Sequence, residues 1–231
     1  MLIYSICYYY GTNKLSNIDN HLKEFYKIED EKIFVVNVMI DNHDIEYHSI
    51  VKKDLLNYIN IENLHILTSY NWGGTILGLW MVYKYCYDKY DEKTYVSHFE
   101  EDFIPHNIKW YKDSIEKLDS NNYIYIGESN QNRIKKKNID GRLHGSAYKN
   151  STRLGNPEVW TDGGFYFLTL KNLKNINDKI GIFHKGDQKI KYERILDGID
   201  LGEVGFPTLL YHAGLRFNVL DRDTYFTHKY K

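Results

Sequence analysis

Thr94-Tyr95-Val96-Ser97-His98-Phe99-Glu100-Glu101-Asp102-Phe103 runs from an apolar, β-branched and aromatic stretch straight into three consecutive acids. Thr94–Phe99 reads as a strand, so the acids stand at its carboxyl end. In open α/β sheets ligands bind beyond that end of the strands. Adjacent carboxylates there repel one another unless a cation or a raised pKa relieves them. A hard divalent ion, Mg2+ or Mn2+, held by one or two carboxylates and by phosphate oxygens, supplies that relief. The competing reading is an acidic turn on a solvated face, and the strand-to-loop position argues against it.

Working outward, strand and helix patterns alternate. Leu2–Tyr9 is a continuous apolar run suited to a strand buried on both faces. Ser16 is a candidate cap for a helix with Ile18, Leu22 and Phe25 on one face. Lys32–Ile40 reads as a second strand, Ser49–Ile59 as a helix and Leu64–Thr68 as a third strand. Thr75 opens a helix whose stripe is Ile76, Leu79, Trp80, Tyr83 and Tyr87. After the acids come a helix over Asn107–Leu118 and a strand at Tyr123–Ile126. This order implies an α/β fold with a mostly parallel central sheet and helices on both faces.

The second part is less regular. Glu128–Pro157 reads as a long polar loop containing the Arg133–Lys137 basic run. Phe165–Leu170 is a strand, Lys189–Leu196 a helix, and Pro207–Ala213 a helix that Pro207 starts and Gly214 stops. Arg216–Leu220 is a last strand, followed by a polar and aromatic tail, Tyr225–Lys231.

Composition narrows the function classes. The 231 residues suffice for one large α/β domain. A net charge of -1 argues against a dominant nucleic-acid footprint. Only two cysteines, Cys7 and Cys86, sit among apolar neighbours. That favours a reducing, cytoplasmic setting over a disulfide framework or zinc finger. No apolar run is long enough to span a bilayer, and the start of the chain reads as a strand rather than a signal peptide. The 22 tyrosines offer faces for stacking on bases or sugars, though any one of them serves equally as core.

With these residues in view, the chain resembles the GT-A fold (Rossmann-related) nucleotide-sugar glycosyltransferases, whose metal-binding acids form a short acid-x-acid motif at such a strand end. Glu100-Glu101-Asp102-Phe103-Ile104-Pro105 is similar to a family variant in which an aromatic and a Pro follow the acids. In size, motif order and composition the chain is similar to the small glycosyltransferases of large DNA viruses. The resemblance implies one domain over 1–231, with a nucleotide-sugar-binding half (1–127) and an acceptor-binding half (128–231).

It further implies that Asp102 ligates Mn2+ or Mg2+, while Glu100 faces the ribose or a metal-bound water and Glu101 lines the same site. Tyr9, Tyr10 and Gly11 would hold the nucleoside, and Asp41 would accept a hydrogen bond from uracil. Asn71, Gly73 and Gly74 would form a tight turn near the donor, at a helix start that favours anions. Trp160, Asp162, Gly163 and Gly164 resemble an acceptor-side loop. Glu203 is the preferred catalytic base, with Asp162 and Asp200 as rivals. A third metal ligand is sought among His184, His212 and His228. His228 is preferred, as a residue of a flexible tail able to close over the diphosphate. Arg133–Lys137, Arg142 and Arg153 would neutralise the diphosphate or stay solvated.

The expected activity is metal-dependent, inverting transfer from a nucleotide diphosphate sugar, UDP-linked ahead of GDP- or dTDP-linked, to a glycan, a protein-linked sugar or another hydroxyl acceptor, with no nucleic-acid partner. The alternative is a non-catalytic module that binds nucleotide sugars or carbohydrates on the same scaffold. A nucleotidyltransferase is ranked lower, because the Gly-rich loop with a basic residue after strand one is missing.

Overall fold

A computed structural model of the chain describes residues 1–10, 15–41, 44–70, 74–129, 161, 163–180, 206, 210 and 213–229. Its first half alternates β1 (Leu2–Tyr9), α1 (Leu15–Tyr26), β2 (Lys32–Ile40), α2 (Ile45–Tyr58), β3 (Leu64–Tyr70), α3 (Gly74–Cys86) and β4 (Tyr95–Glu100). There follow β5 (Phe103–Pro105), α4 (Lys109–Asn121), β6 (Tyr125–Ser129), β7 (Phe165–Thr169), α5 (Leu170–Ile180), β8 (Phe217–Asp221), α6 (Arg222–Tyr225) and β9 (Phe226–His228).

Seven strands form one sheet in the order β3-β2-β1-β4-β7-β6-β8. β1 pairs in parallel with β2 and β4, β2 with β3, and β6 with β8. Only β7 runs against its neighbours β4 and β6. An unbroken Phe-Tyr-Phe-Leu-Thr run fixes burial but not direction, so this reversal is not written in the local pattern.

Alternation along β1 sorts the core into two layers. Leu2, Tyr4, Ile6 and Tyr8 face α1, α2 and α4, where Ile18, Val51, Leu55 and Trp110 meet them. Ile3 faces the other side, among Leu79 and Val82 of α3 and Leu173 and Ile176 of α5. Beneath α3, Asn37 Nδ2 donates to Ser5 Oγ (2.6 Å), which lies 2.9 Å from His98 Nδ1, so a polar spine crosses β2, β1 and β4. Gly78 makes room for it, since a Cβ there would stand 2.9 Å from the imidazole.

Several boundaries differ from the sequence reading, each for a local reason. α2 begins before Ser49, because Asp44 caps it by accepting the Glu46 N–H at 2.9 Å. Ser16 lies inside α1 rather than capping it. α5 has no counterpart in the expectations. Its buried Leu170, Leu173 and Ile176 are spaced for a helix, but they are hidden among Lys and Asn. β6 extends to Ser129, so Glu128 belongs to a buried strand and not to the start of a loop. The tail is also not free. Phe226 is buried, and β9 pairs with β5, Phe103 opposite His228. Gly214 has a φ of 70°, a conformation that favours glycine, and beside it the Leu215 N–H donates to Leu210 O at 2.9 Å. The Lys189–Leu196 helix and most of Glu128–Pro157 and Pro207–Ala213 lie outside the described residues.

Candidate active site

The acidic turn sits at the carboxyl end of β4, and its main chain is fastened at four points. Glu100 N–H donates to Gly164 O (3.0 Å) and Glu101 N–H to Cys7 O (3.1 Å), while Lys229 N–H donates to Asp102 O (2.8 Å). The fourth bond comes from His21 on α1, whose Nε2 lies 3.1 Å from Glu101 O. A carbonyl only accepts, so Nε2 carries the proton, and Nδ1 accepts from the Tyr4 hydroxyl at 2.9 Å. Burial holds this imidazole neutral, its pKa lowered to about 3. A turn so fastened holds its side chains in a fixed array.

The three acids diverge. Glu101 is 2% exposed, and burial, with the Glu101 carboxylate adding to it, pushes the Tyr8 phenol up to about 12. It therefore faces inward. Glu100 is half-buried and lies close enough to the Cys7 thiol to help burial raise its pKa. Asp102 meets the tail: its Oδ2 lies 3.4 Å from His228 Nε2.

That meeting follows from the β5–β9 ribbon. Phe103 and Phe226 pack 5.0 Å apart, and Phe226 lies 4.9 Å from Phe165 under the main sheet. Burying these rings carries the strand with them, and His228 arrives beside Asp102. A carboxylate oxygen and an imidazole nitrogen make a donor set fit for a divalent cation that takes its remaining ligands from a diphosphate and water. Among the described residues no cluster of three potential ligands occurs. The flexible-tail reason for choosing His228 is corrected: a paired strand brings it in.

Behind the turn lies a buried ion pair that sequence reasoning did not foresee. Arg222 Nε donates to Glu128 Oε2 at 3.0 Å, and Gly164 N–H donates to Glu128 Oε1 at 3.0 Å. Gly164 lies flat against a ring, since a Cβ there would stand 2.7 Å from Phe103 Cδ2. We expect Gly164→Ala to lower unfolding free energy by about 1–3 kcal/mol, because the Phe103 ring is 1% exposed and packed between Phe226 and Arg222. Urea titration checks this, and Phe103→Leu in the same chain should recover part of the loss. An Ala variant as stable as wild type would contradict the contact.

The remaining expected site residues divide in two. Tyr9 packs beside Cys7, Met39 and Leu77, while Tyr10 meets Tyr47 edge-on at 6.2 Å. Asp41 is exposed just beyond β2. Gly74 begins α3, and Gly163, with φ 86°, takes a conformation that favours glycine. Gly11, Asn71, Gly73, Trp160, Asp162, His184, Asp200, Glu203, His212 and the Arg133–Lys137 run with Arg142 and Arg153 lie outside the described residues. No helix among the described residues is long and apolar enough to cross a membrane.

No protein-family model and no curated protein matches the sequence. Among solved structures the chain is similar to S. aureus TarS 1–349 in complex with UDP-GlcNAc, with 20% identity and a TM-score of 0.53 over 100% of this chain. The match covers 59% of that TarS chain, so this chain spans about three fifths of its length. Two further S. aureus TarS structures match over 97% of this chain, at 19% and 20% identity and a TM-score of 0.49. The first likeness is one of fold: a GT-A-like α/β arrangement with a mostly parallel central sheet, as the acidic strand end led us to expect.

Proposed function

We propose that the chain is a metal-dependent glycosyltransferase that takes a sugar from a nucleotide diphosphate, a UDP-sugar foremost, and passes it to a hydroxyl of a glycan or protein-linked sugar. One observation carries this reading. Asp102, on a turn fastened at four points beyond the carboxyl end of β4, lies 3.4 Å from His228 of β9, which is distant in sequence. The fold shared with TarS 1–349, whose structure is a complex with UDP-GlcNAc, supports the choice of donor.

In this reading Asp102 and His228 hold Mn2+ or Mg2+, with Glu100 beside them. The bound cation supplies Lewis-acid stabilisation of the charge that develops on the departing diphosphate. Tyr9, Tyr10, Gly11 and Asp41 receive the nucleoside, and Asn71, Gly73 and Gly74 the phosphate side. Trp160 and Gly163 line the acceptor, while Gly164, expected beside them, is corrected: its N–H goes to Glu128 and its O to the Glu100 N–H, so it backs the turn. Glu203, with Asp162 as second choice, takes the proton of the acceptor hydroxyl as its oxygen attacks the anomeric carbon, which gives inversion. Glu101, buried, supports the turn rather than the ligand.

A thermal-shift series with UDP, GDP and dTDP sugars, with and without Mn2+, tests the reading. A UDP-sugar at about a hundred times its Kd should stabilise the chain by about 2.7 kcal/mol, and only when Mn2+ is present. UDP release from a donor panel then separates an enzyme from a binding module. If no nucleotide shifts the melting point under any condition, the reading fails.

A further inference from the structure

We infer that Glu128, clamped by Arg222, is a positioning residue that sets the geometry of the acidic turn; the inference rests on the glycosyl-transfer reading of that turn. The carboxylate is fully buried and both its oxygens are used. Oε1 accepts from Gly164 N–H and Oε2 from Arg222 Nε, each at 3.0 Å. The same residue also leads to the site, because Gly164 O, in the next peptide group, accepts the Glu100 N–H at 3.0 Å.

Three further contacts converge on the same segment. Gly164 packs on the Phe103 ring, and the Arg222 guanidinium lies 5.5 Å from that ring's centre. Arg222 also opens α6, whose cap Asp221 accepts the Thr224 N–H at 3.1 Å. α6 runs directly into β9 and so into His228. One carboxylate on β6 thus reaches both members of the Asp102–His228 pair, one through Gly164 and Glu100, the other through Arg222, α6 and β9.

A buried ion pair that serves only stability is replaceable by apolar side chains of similar size. Here one oxygen also receives a backbone N–H, which no apolar side chain can do. The two roles therefore separate in double variants of the full chain. E128L/R222M removes both charges together, so neither is left buried alone, and it takes the acceptor from Gly164. E128Q/R222M also removes the pair but keeps an oxygen for Gly164.

Hydrogen exchange at the Glu100 amide and Mn2+-dependent UDP affinity are read side by side, with the Glu101 amide as internal control. In E128L/R222M the Glu100 amide should lose protection while the Glu101 amide keeps it, and UDP affinity with Mn2+ should fall about 10–100-fold. E128Q/R222M, which restores only the Gly164 arm, should regain Glu100 protection and part of that affinity, whatever the two melting points. If E128L/R222M does not fold, Glu128→Asp, one methylene too short to span both partners, replaces it and should bind UDP more weakly than E128Q/R222M.

Wild-type protection of Glu100, or wild-type affinity, in E128L/R222M or its Asp substitute overturns the inference. So does a loss that follows the melting point and ignores the acceptor. Should the wild-type chain itself bind no UDP with Mn2+, the glycosyl-transfer reading falls, and the Glu100 amide alone still decides whether Glu128 positions the turn.

Discussion

Asp102→Asn should cut UDP release from a UDP-sugar by at least about a thousandfold, while the variant melts as the wild type does. The substitution is isosteric, and it leaves the Lys229 N–H to Asp102 O bond that closes the β5–β9 ribbon untouched. The side chain is 17% exposed, and an amide oxygen in place of Oδ2 can still face His228 Nε2. What disappears is the carboxylate charge facing His228, and with it the charge that makes the pair attractive to a divalent cation. An amide oxygen is a weak ligand for Mn2+ beside a diphosphate, and added Mn2+ should restore little. His228→Ala removes a neutral donor and should cost less, about 10–100-fold. Initial rates against Mn2+ concentration measure both. An Asp102→Asn enzyme that turns over normally with Mn2+ would show that the acids at this strand end bind no metal.

How much of this was legible in advance depends on the range of the forces involved. β1 to β4 and α3 were readable because their apolar periods are local and long. The acids were readable because a strand end is a recognisable place for charge. His228 was preferred among three histidines for its place in a flexible tail, and that tail is a paired strand. Phe226 was the missed signal: an aromatic alternating with polar residues in Tyr-Phe-Thr-His marks a strand with one buried face. His21 carried a signal too, since it lies three residues from Ile18 and four from Phe25, on the apolar stripe of α1. Glu128 and Arg222 carried none. Their pairing depends on β6 lying beside β8, and no local pattern encodes that neighbour. The antiparallel β7 is hidden for the same reason, because strand direction is decided by what the chain does between Ser129 and Thr161. The acceptor loop and the base at Glu203 rest on the sequence alone.

The second large effect is a loss of stability in acid that one histidine causes. His21 is buried between Tyr4 and Phe99, and burial lowers its pKa from 6.5 to about 3. Above pH 6.5 the imidazole is neutral in both folded and unfolded chains and contributes no pH dependence. As pH falls from 6.5 toward 3, the unfolded chain takes up a proton that the folded chain refuses, so stability is lost through that window. At about 1.4 kcal/mol per pKa unit, the full loss is about 4–5 kcal/mol below pH 3. The geometry explains the refusal. Protonating Nδ1 would set its new N–H against the Tyr4 O–H that now donates to it, on a ring that is 0% exposed. His21→Gln keeps an N–H for Glu101 O and cannot titrate. Urea unfolding of both proteins from pH 8 to pH 4 isolates the effect, because carboxylates contribute alike to each and cancel in the difference. The wild-type stability minus the Gln stability should be flat above pH 7 and fall steadily below pH 6.5. A difference that is equal at pH 7 and pH 4.5 would mean that the imidazole accepts its proton in place, and the turn at Glu101 would then be held by a cation rather than by a neutral donor.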